Sequence, residues 1–106
     1  MEKRYIRHGQ VAVLISPGYG AGWSTWNPQY PDMMFDPQIA DLVINHDGSD
    51  LMARVRVMAE LKYPDACLSC DRLMVWWVSP GERFMIKEYD GDETLILEKD
   101  MAWTTA

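Results

Sequence analysis

The sequence predicts a single α+β domain spanning residues 1–106, with a mixed or antiparallel sheet of roughly four strands and two helices packed on one face. Three observations predict this class. A continuous apolar strand lies near the N-terminus, two segments with helical periodicity follow it, and three strand-like segments come last. At 106 residues and 48% hydrophobic composition, the chain can bury one core but no second domain. We therefore expect the element order β-α-α-β-β-β.

The first strand is predicted at residues 10–16, where a continuous apolar run rich in β-branched residues indicates burial on both faces. Pro17 and Gly18 end this strand. Residues 17–35 contain three prolines and three glycines without a sustained period, so they are predicted to form a long loop. Loops of this length in a small domain are usually functional or contain an element that the sequence pattern does not show.

Two helices are predicted next. Asp36 is a good N-cap and Pro37 suits the first helical position, so a helix begins there and ends at the Asp-Gly pair of residues 47–48. A second helix is predicted to begin at Ser49, and its apolar positions recur at helical spacing until Tyr63 and Pro64. Both helices should pack side by side on one face of the sheet.

Three strands are predicted near the C-terminus, at residues 72–78, 83–89 and 94–98. Asp90 and Gly91 separate the last two, and this dipeptide is a strong signal for a two-residue hairpin turn because both residues can adopt positive φ. Acidic residues around the last strand indicate an exposed edge.

Trp76 and Trp77 are neighbours on a strand, so they should point to opposite faces. The face without helices then needs a cover, either the long loop or a second copy of the chain.

The charge balance argues against several classes of function. Sixteen acidic and ten basic residues give a net charge of -6, with the acidic residues scattered and no cationic cluster, so nucleic-acid binding is not expected. No apolar run approaches the roughly twenty residues that cross a bilayer, and the N-terminus lacks the apolar core of a signal peptide. We expect a cytoplasmic protein without a membrane partner.

Residues 18–27, which we call the glycine loop, are the predicted site for a ligand or protein partner. The candidate residues are Gly18, Tyr19, Gly20, Gly22, Trp23, Ser24, Thr25, Trp26 and Asn27. Backbone amides among closely spaced glycines can hold an anion, although the spacing here fits neither a Walker loop nor a dinucleotide fingerprint. The aromatic side chains could instead anchor a protein partner. A loop packed against the edge of its own sheet is the third interpretation, and it is favoured over phosphate binding.

Metal and redox chemistry are not expected, and no cofactor is predicted. Cys67 and Cys70 form one Cys-x-x-Cys pair, and His8 and His46 lie far from it in sequence, whereas zinc sites combine two closely spaced ligand sets. The pair also precedes a strand instead of opening a helix, where a thiol would gain reactivity. Both residues are interpreted as ordinary thiols.

Catalysis is also not indicated. Ser24, Thr25, the two histidines and nearby aspartates could supply a nucleophile, base and acid, but no recognised motif joins them. The predicted hairpin tip is acidic and is interpreted as a solvated turn, with loose cation binding or charge presentation to a partner as alternatives. Its residues are Glu88, Asp90, Asp92 and Glu93.

Three segments carry a resemblance to a known group. Residues 13–27 read VLISPGYGAGWSTWN, residues 35–37 read FDP, and residues 88–91 read EYDG. Together they resemble small accessory proteins encoded by bacteriophages and prophages. The resemblance implies action in bacterial cytoplasm on a host protein, since small acidic phage proteins often inhibit host machinery such as CRISPR and other defence systems. It implies no catalytic residues.

The function that we expect is therefore non-enzymatic binding that occludes a host protein or assembly through the glycine loop and nearby acidic surface. The alternative is binding, or hydrolysis, of a nucleotide or other small anion by the backbone amides of residues 18–23. A third hypothesis is a homodimer with Trp76 or Trp77 at the centre of its interface.

Overall fold

The strand Gln10–Ile15 lies at the centre of the protein, between the helices on one side and a β-hairpin on the other. The computed structural model describes residues 4–46 and 48–101. Five strands occur in this part of the chain: β1 at Ile6–Arg7, β2 at Gln10–Ile15, β3 at Met74–Val78, β4 at Phe84–Tyr89 and β5 at Asp92–Leu97. The α-helices are α1 at Pro37–Asn45 and α2 at Leu51–Lys62, and short 3₁₀ helices occur at Pro31–Phe35 and Glu98–Asp100. The α+β class and the predicted order of the main elements are confirmed.

The strands form two sheets instead of the single sheet of about four strands that the sequence predicts. β1, β2 and β3 form an antiparallel sheet in that order, and β4 and β5 form a separate antiparallel hairpin. The hairpin does not extend the first sheet, because its apolar face packs across the second face of β2. This second layer buries the apolar faces of both sheets.

Two hydrophobic clusters occupy the two sides of β2. Ala12 and Leu14 point toward the helices, where they pack with Ile39 of α1 and Val55 of α2. Val13 and Ile15 of β2 point toward the hairpin, where they pack with Leu95. All these side chains are fully or almost fully buried. A strand covered on both sides explains the continuous apolar run and confirms the prediction of double burial.

Two elements are missing from the sequence prediction. β1 has only two residues, too few for a detectable period, and joins β2 through a turn with positive φ at His8 and Gly9. The 3₁₀ helix Pro31–Phe35 lies inside the predicted loop, and its Met33 is completely buried. Met33 packs in the cluster on the helix side, whereas Met34 and Phe35 pack against the cluster on the hairpin side. The face opposite the helices is therefore covered by the hairpin together with these two residues of the long loop.

The start of α1 follows the capping chemistry that the sequence predicts. The Asp36 carboxylate accepts hydrogen bonds from the amides of Gln38 and Ile39, both at 3.0 Å, and so caps α1. α1 ends at Asn45, and residue 47 of the predicted stop lies outside the described residues. α2 begins at Leu51, two positions after the predicted start, and ends before Tyr63 as predicted.

The two neighbouring tryptophans of β3 point to opposite faces, as expected. Trp77 lies opposite Ala12 on the helix side, where its ring is 6.2 Å from that of Tyr5. Trp76 lies opposite Val13 on the hairpin side and is 38% exposed. The hypothesis of a dimer centred on either residue stays a prediction.

Candidate functional site

The glycine loop leaves β2 and runs between two other parts of the protein, which hold it in place. On one side, the amide of Gly18 donates to the Asp92 carboxylate at 2.8 Å. On the other side, Gly20 forms an isolated β-bridge with Cys70, and the amide of Ala21 donates to the Ser69 carbonyl at 3.2 Å. The loop therefore joins the hairpin to the segment that precedes β3.

A buried carboxylate lies beneath the loop. Glu93 is only 2% exposed and accepts hydrogen bonds from the amide of Ser16 at 3.0 Å and the amide of Thr25 at 3.1 Å. The Thr25 hydroxyl donates to the same carboxylate. The amide of Glu93 in turn donates to the Ser16 carbonyl at 3.0 Å. These bonds join the end of β2, the glycine loop and β5, so the sequence interpretation of Glu93 as part of a solvated acidic tip is wrong.

Two glycines allow the close packing at this junction. Gly91 has a φ of +91°, and a Cβ atom there would overlap the carbonyl oxygen of Gly20. At Gly22, a Cβ atom would overlap the Thr25 side chain that bonds Glu93. At Gly20, a Cβ atom would overlap the main chain of Ser69 and Asp71, in the segment before β3.

The internal bonds of the loop bear on the hypothesis of an anion cradle. The amides of Gly18, Ala21, Trp23 and Thr25 all donate to acceptors within the protein, including two carboxylates. An incoming anion would have to displace these acceptors and approach the charges of Asp92 and the buried glutamate. The contacts therefore argue against an anion cradle at these four amides.

Three of the nine predicted site residues are structural. Trp23 is 1% exposed, and its indole N–H donates to the Met33 carbonyl at 2.9 Å. Asn27 is also 1% exposed and ties the loop to Cys67 by accepting from its amide at 2.6 Å and donating to its carbonyl at 3.0 Å. Ser24 is buried as well. These residues shape the loop and are not available to a partner.

Two aromatic residues of the loop do face solvent. Tyr19 is 88% exposed, and Trp26 is 44% exposed. The indole N–H of Trp26 donates to the Glu88 carboxylate at 3.1 Å, which fixes the orientation of the ring. A hydrogen bond from the Gly91 amide, and then the one from Trp26, lower the pKa of Glu88 from its usual value. An oriented indole and an ionised carboxylate therefore lie side by side at the surface.

An open apolar groove of about 470 Å³, which we call the β4 groove, is lined in part by Thr25, the chain neighbour of Trp26, and by Ile86, two residues before Glu88 on β4. One wall is formed by the successive residues Phe84, Met85 and Ile86. The long loop supplies the rest of the lining: Ser24, Thr25, Pro28, Pro31, Met34 and Phe35. The rings of Phe35 and Phe84 contact edge to face at 6.3 Å, and the Arg4 guanidinium lies 3.8 Å from the Phe35 ring centre. No charged residue is part of the described lining.

Sequence reasoning identified part of this region and missed the rest. The glycine loop borders the β4 groove, but the groove itself depends on β4 and on the 3₁₀ helix, which a local pattern does not connect. The prolines and the apolar triplet Met33, Met34 and Phe35 at the end of the predicted loop were the available signal, because an apolar run in a loop usually packs on something.

The two cysteines show no sign of a reactive site. Cys70 is buried, and this burial raises the pKa of its thiol to about 11, while Cys67 is partly buried and is also a free thiol. Within residues 4–46 and 48–101, no three His, Cys, Asp or Glu side chains come together as a possible metal site. None of the described helices is long and apolar enough to cross a membrane.

Comparison with protein-family models, with curated proteins and with solved structures finds no match to this chain. The hypotheses about function therefore depend on the site itself.

Proposed function

We propose that this protein is a non-enzymatic binding protein that occludes a host protein or assembly in bacterial cytoplasm, as a phage-type accessory protein. The observation that carries the proposal is the exposed and oriented Trp26, whose chain neighbour Thr25 lines the β4 groove. Tryptophan and tyrosine at the margin of an apolar concave surface are typical of the central contacts of protein interfaces. Tyr19 extends this aromatic surface along the loop.

The electrostatics support a basic partner surface. The chain has a net charge of -6, and Glu88 is ionised beside the indole. Opposite charges at the margin of an interface raise the rate of association and help to select the partner. Inhibition of defence machinery such as CRISPR is one form that this occlusion could take.

The proposal is tested with variants that leave the core intact. Trp26→Ala and Tyr19→Ala should each lower the recovery of a cross-linked partner from bacterial lysate, and Trp26→Ala by about tenfold or more. Leu61→Ala is the matched control, because Leu61 is an exposed apolar residue of α2, which lies on the helix side of β2. Trp23 is unsuitable for this test because its removal would leave a cavity in the core.

Failure to recover any partner at a stoichiometric level, or equal recovery with Trp26→Ala and Leu61→Ala, would contradict the proposal. The anion-binding alternative has its own measurement, since a nucleotide bound by the loop amides should raise the melting temperature with increasing ligand concentration. If the chain forms a homodimer, the mass measured by light scattering should rise from that of a monomer to that of a dimer as the protein concentration increases. The Trp76→Ala variant should keep the monomer mass.

A further inference from the structure

The β4 groove follows the free edge of a strand. Neighbouring residues on a strand point to opposite faces, yet the successive residues Phe84, Met85 and Ile86 all line the groove. A cavity that contacts both faces and the main chain between them lies along the strand edge. β5 pairs with the other edge of β4.

The turn determines which main-chain groups point into this groove. Tyr89 and Asp92 flank the two-residue turn and form a hydrogen-bonded pair, so pairing with β5 alternates along the hairpin from that point. By this alternation, Ile86 and Glu88 direct their amide and carbonyl groups away from β5. β5 shows the same alternation, because the outward amide of Glu93 donates to Ser16.

The outward groups of β4 have no main-chain partner in the part of the chain that the structure describes. The facing wall contributes Pro28 and Pro31, and proline has no N–H to donate. Natural proteins usually protect such an edge with an inward charge, a bulge or a cover. Here the strand is regular over six residues, Lys87 and Glu88 near its end are its only charged residues, and the groove beside it is lined by apolar and uncharged side chains.

Charge and shape together indicate what would occupy this edge. The groove is too apolar for a charged ligand along its length, but ionised Glu88 lies on the same strand two residues beyond Ile86. A strand added at this edge would place alternate side chains into the apolar groove, and a basic side chain could reach the carboxylate.

We propose that an extended segment of the partner protein, with alternating apolar side chains and a lysine or arginine, pairs with the free edge of β4 and places its basic group against Glu88. This inference rests on the proposed function and names its mode of recognition. Trp26 would then pack over the end of the added strand, since its indole is bonded to the same carboxylate.

The probe is a library of displayed random peptides of about eight residues, which is long enough to form one strand. Enriched peptides should alternate apolar residues and carry a lysine or arginine. Met85→Lys adds a charge to the groove at a side chain that is 49% exposed, and it should weaken binding about tenfold. Val57→Lys makes the same change at an exposed position of α2, 64% exposed, and should leave binding unchanged.

Two further measurements separate strand addition from simple apolar contact. N-methylation of alternate amides in an enriched peptide should abolish binding, because it removes the donors but keeps the side chains. Hydrogen exchange should slow at the amides of Ile86 and Glu88 when peptide binds. Glu88→Gln should weaken binding of the basic peptides about threefold or more.

Each outcome decides the inference. Absence of any enriched peptide, binding that Met85→Lys leaves intact, or full tolerance of N-methylation would overturn it. A dimer that Met85→Lys dissociates in sedimentation analysis would assign the edge to a second copy and also overturn it. A lysate partner that depends on Trp26 but tolerates Met85→Lys would refute strand addition and leave the proposed function standing. If no partner is recovered from lysate but the peptides bind as expected, the proposed function is refuted and peptide binding at the β4 edge is not.

Discussion

Replacement of Glu93 by alanine tests whether the buried carboxylate holds the glycine loop to the hairpin. The substitution leaves the amides of Ser16 and Thr25 and the Thr25 hydroxyl without their acceptor. Each buried amide without an acceptor costs about 1–3 kcal/mol, while the hydroxyl can rotate toward another acceptor. Loss of the buried charge returns part of this cost. We expect the free energy of unfolding to fall by about 2–4 kcal/mol.

The assay is urea denaturation followed by tryptophan fluorescence, with the melting temperature measured in parallel. For a chain of this length, the expected loss corresponds to a decrease of roughly 8–16 °C. Glu88→Ala is the matched control, because Glu88 lies directly opposite Glu93 on the hairpin but is exposed. The Glu88→Ala variant should lose clearly less stability than Glu93→Ala. Glu93→Gln keeps one acceptor oxygen, so its loss in the free energy of unfolding should lie between those of the two alanine variants. Equal losses in the two alanine variants, within about 0.5 kcal/mol, would refute the reasoning.

Three other predictions concern the junction, the helix cap and the thiols. Gly91→Ala should lower the free energy of unfolding in urea titrations by at least about 2 kcal/mol, because the added Cβ would overlap the glycine loop. Gly81→Ala is the control, because Gly81 also has a positive φ but has open space around it, and it should lower the free energy of unfolding by only about 1 kcal/mol. Burial alone would raise the pKa of Asp36, but hydrogen bonds from Lys62 and Tyr63 outweigh this effect and lower the pKa. The ionised carboxylate therefore stabilises the fold at pH values above its unfolded pKa. Asp36→Asn should lower the free energy of unfolding by about 1 kcal/mol at pH 7. Melting curves should show the difference in stability between the wild type and this variant disappear as the pH falls below about 4. Cys70 should resist iodoacetamide at pH 8 in the native protein and react only after unfolding, as measured by mass spectrometry; labelling of the native protein would contradict its burial.

The parts of the fold that the sequence predicted correctly depend on local chemistry. Asp36 and Pro37 begin α1 because capping and a fixed φ act within one turn of helix. Asp90 and Gly91 form the hairpin turn with positive φ at both residues, as their conformational preferences predict. β2 reads as doubly buried because a strand covered on both faces has no polar alternation.

The parts that the sequence did not predict depend on contacts between distant residues. Nothing in the local pattern of β4 and β5 tells whether the hairpin extends the first sheet or stacks on it, since both arrangements bury the same face. Glu93 reads as one more acidic residue near a turn, and only its position beneath Ser16 and Thr25 makes it a buried acceptor.

By itself, the sequence determined the class of the domain, the start of α1 and the hairpin turn. Tertiary structure alone decided which aromatic residues of the glycine loop are buried, where the groove lies and which strand edge is open. The physical reason is range: propensity, capping and turn chemistry act over a few neighbouring residues. Burial and hydrogen-bond partners depend instead on which distant segments the fold brings together.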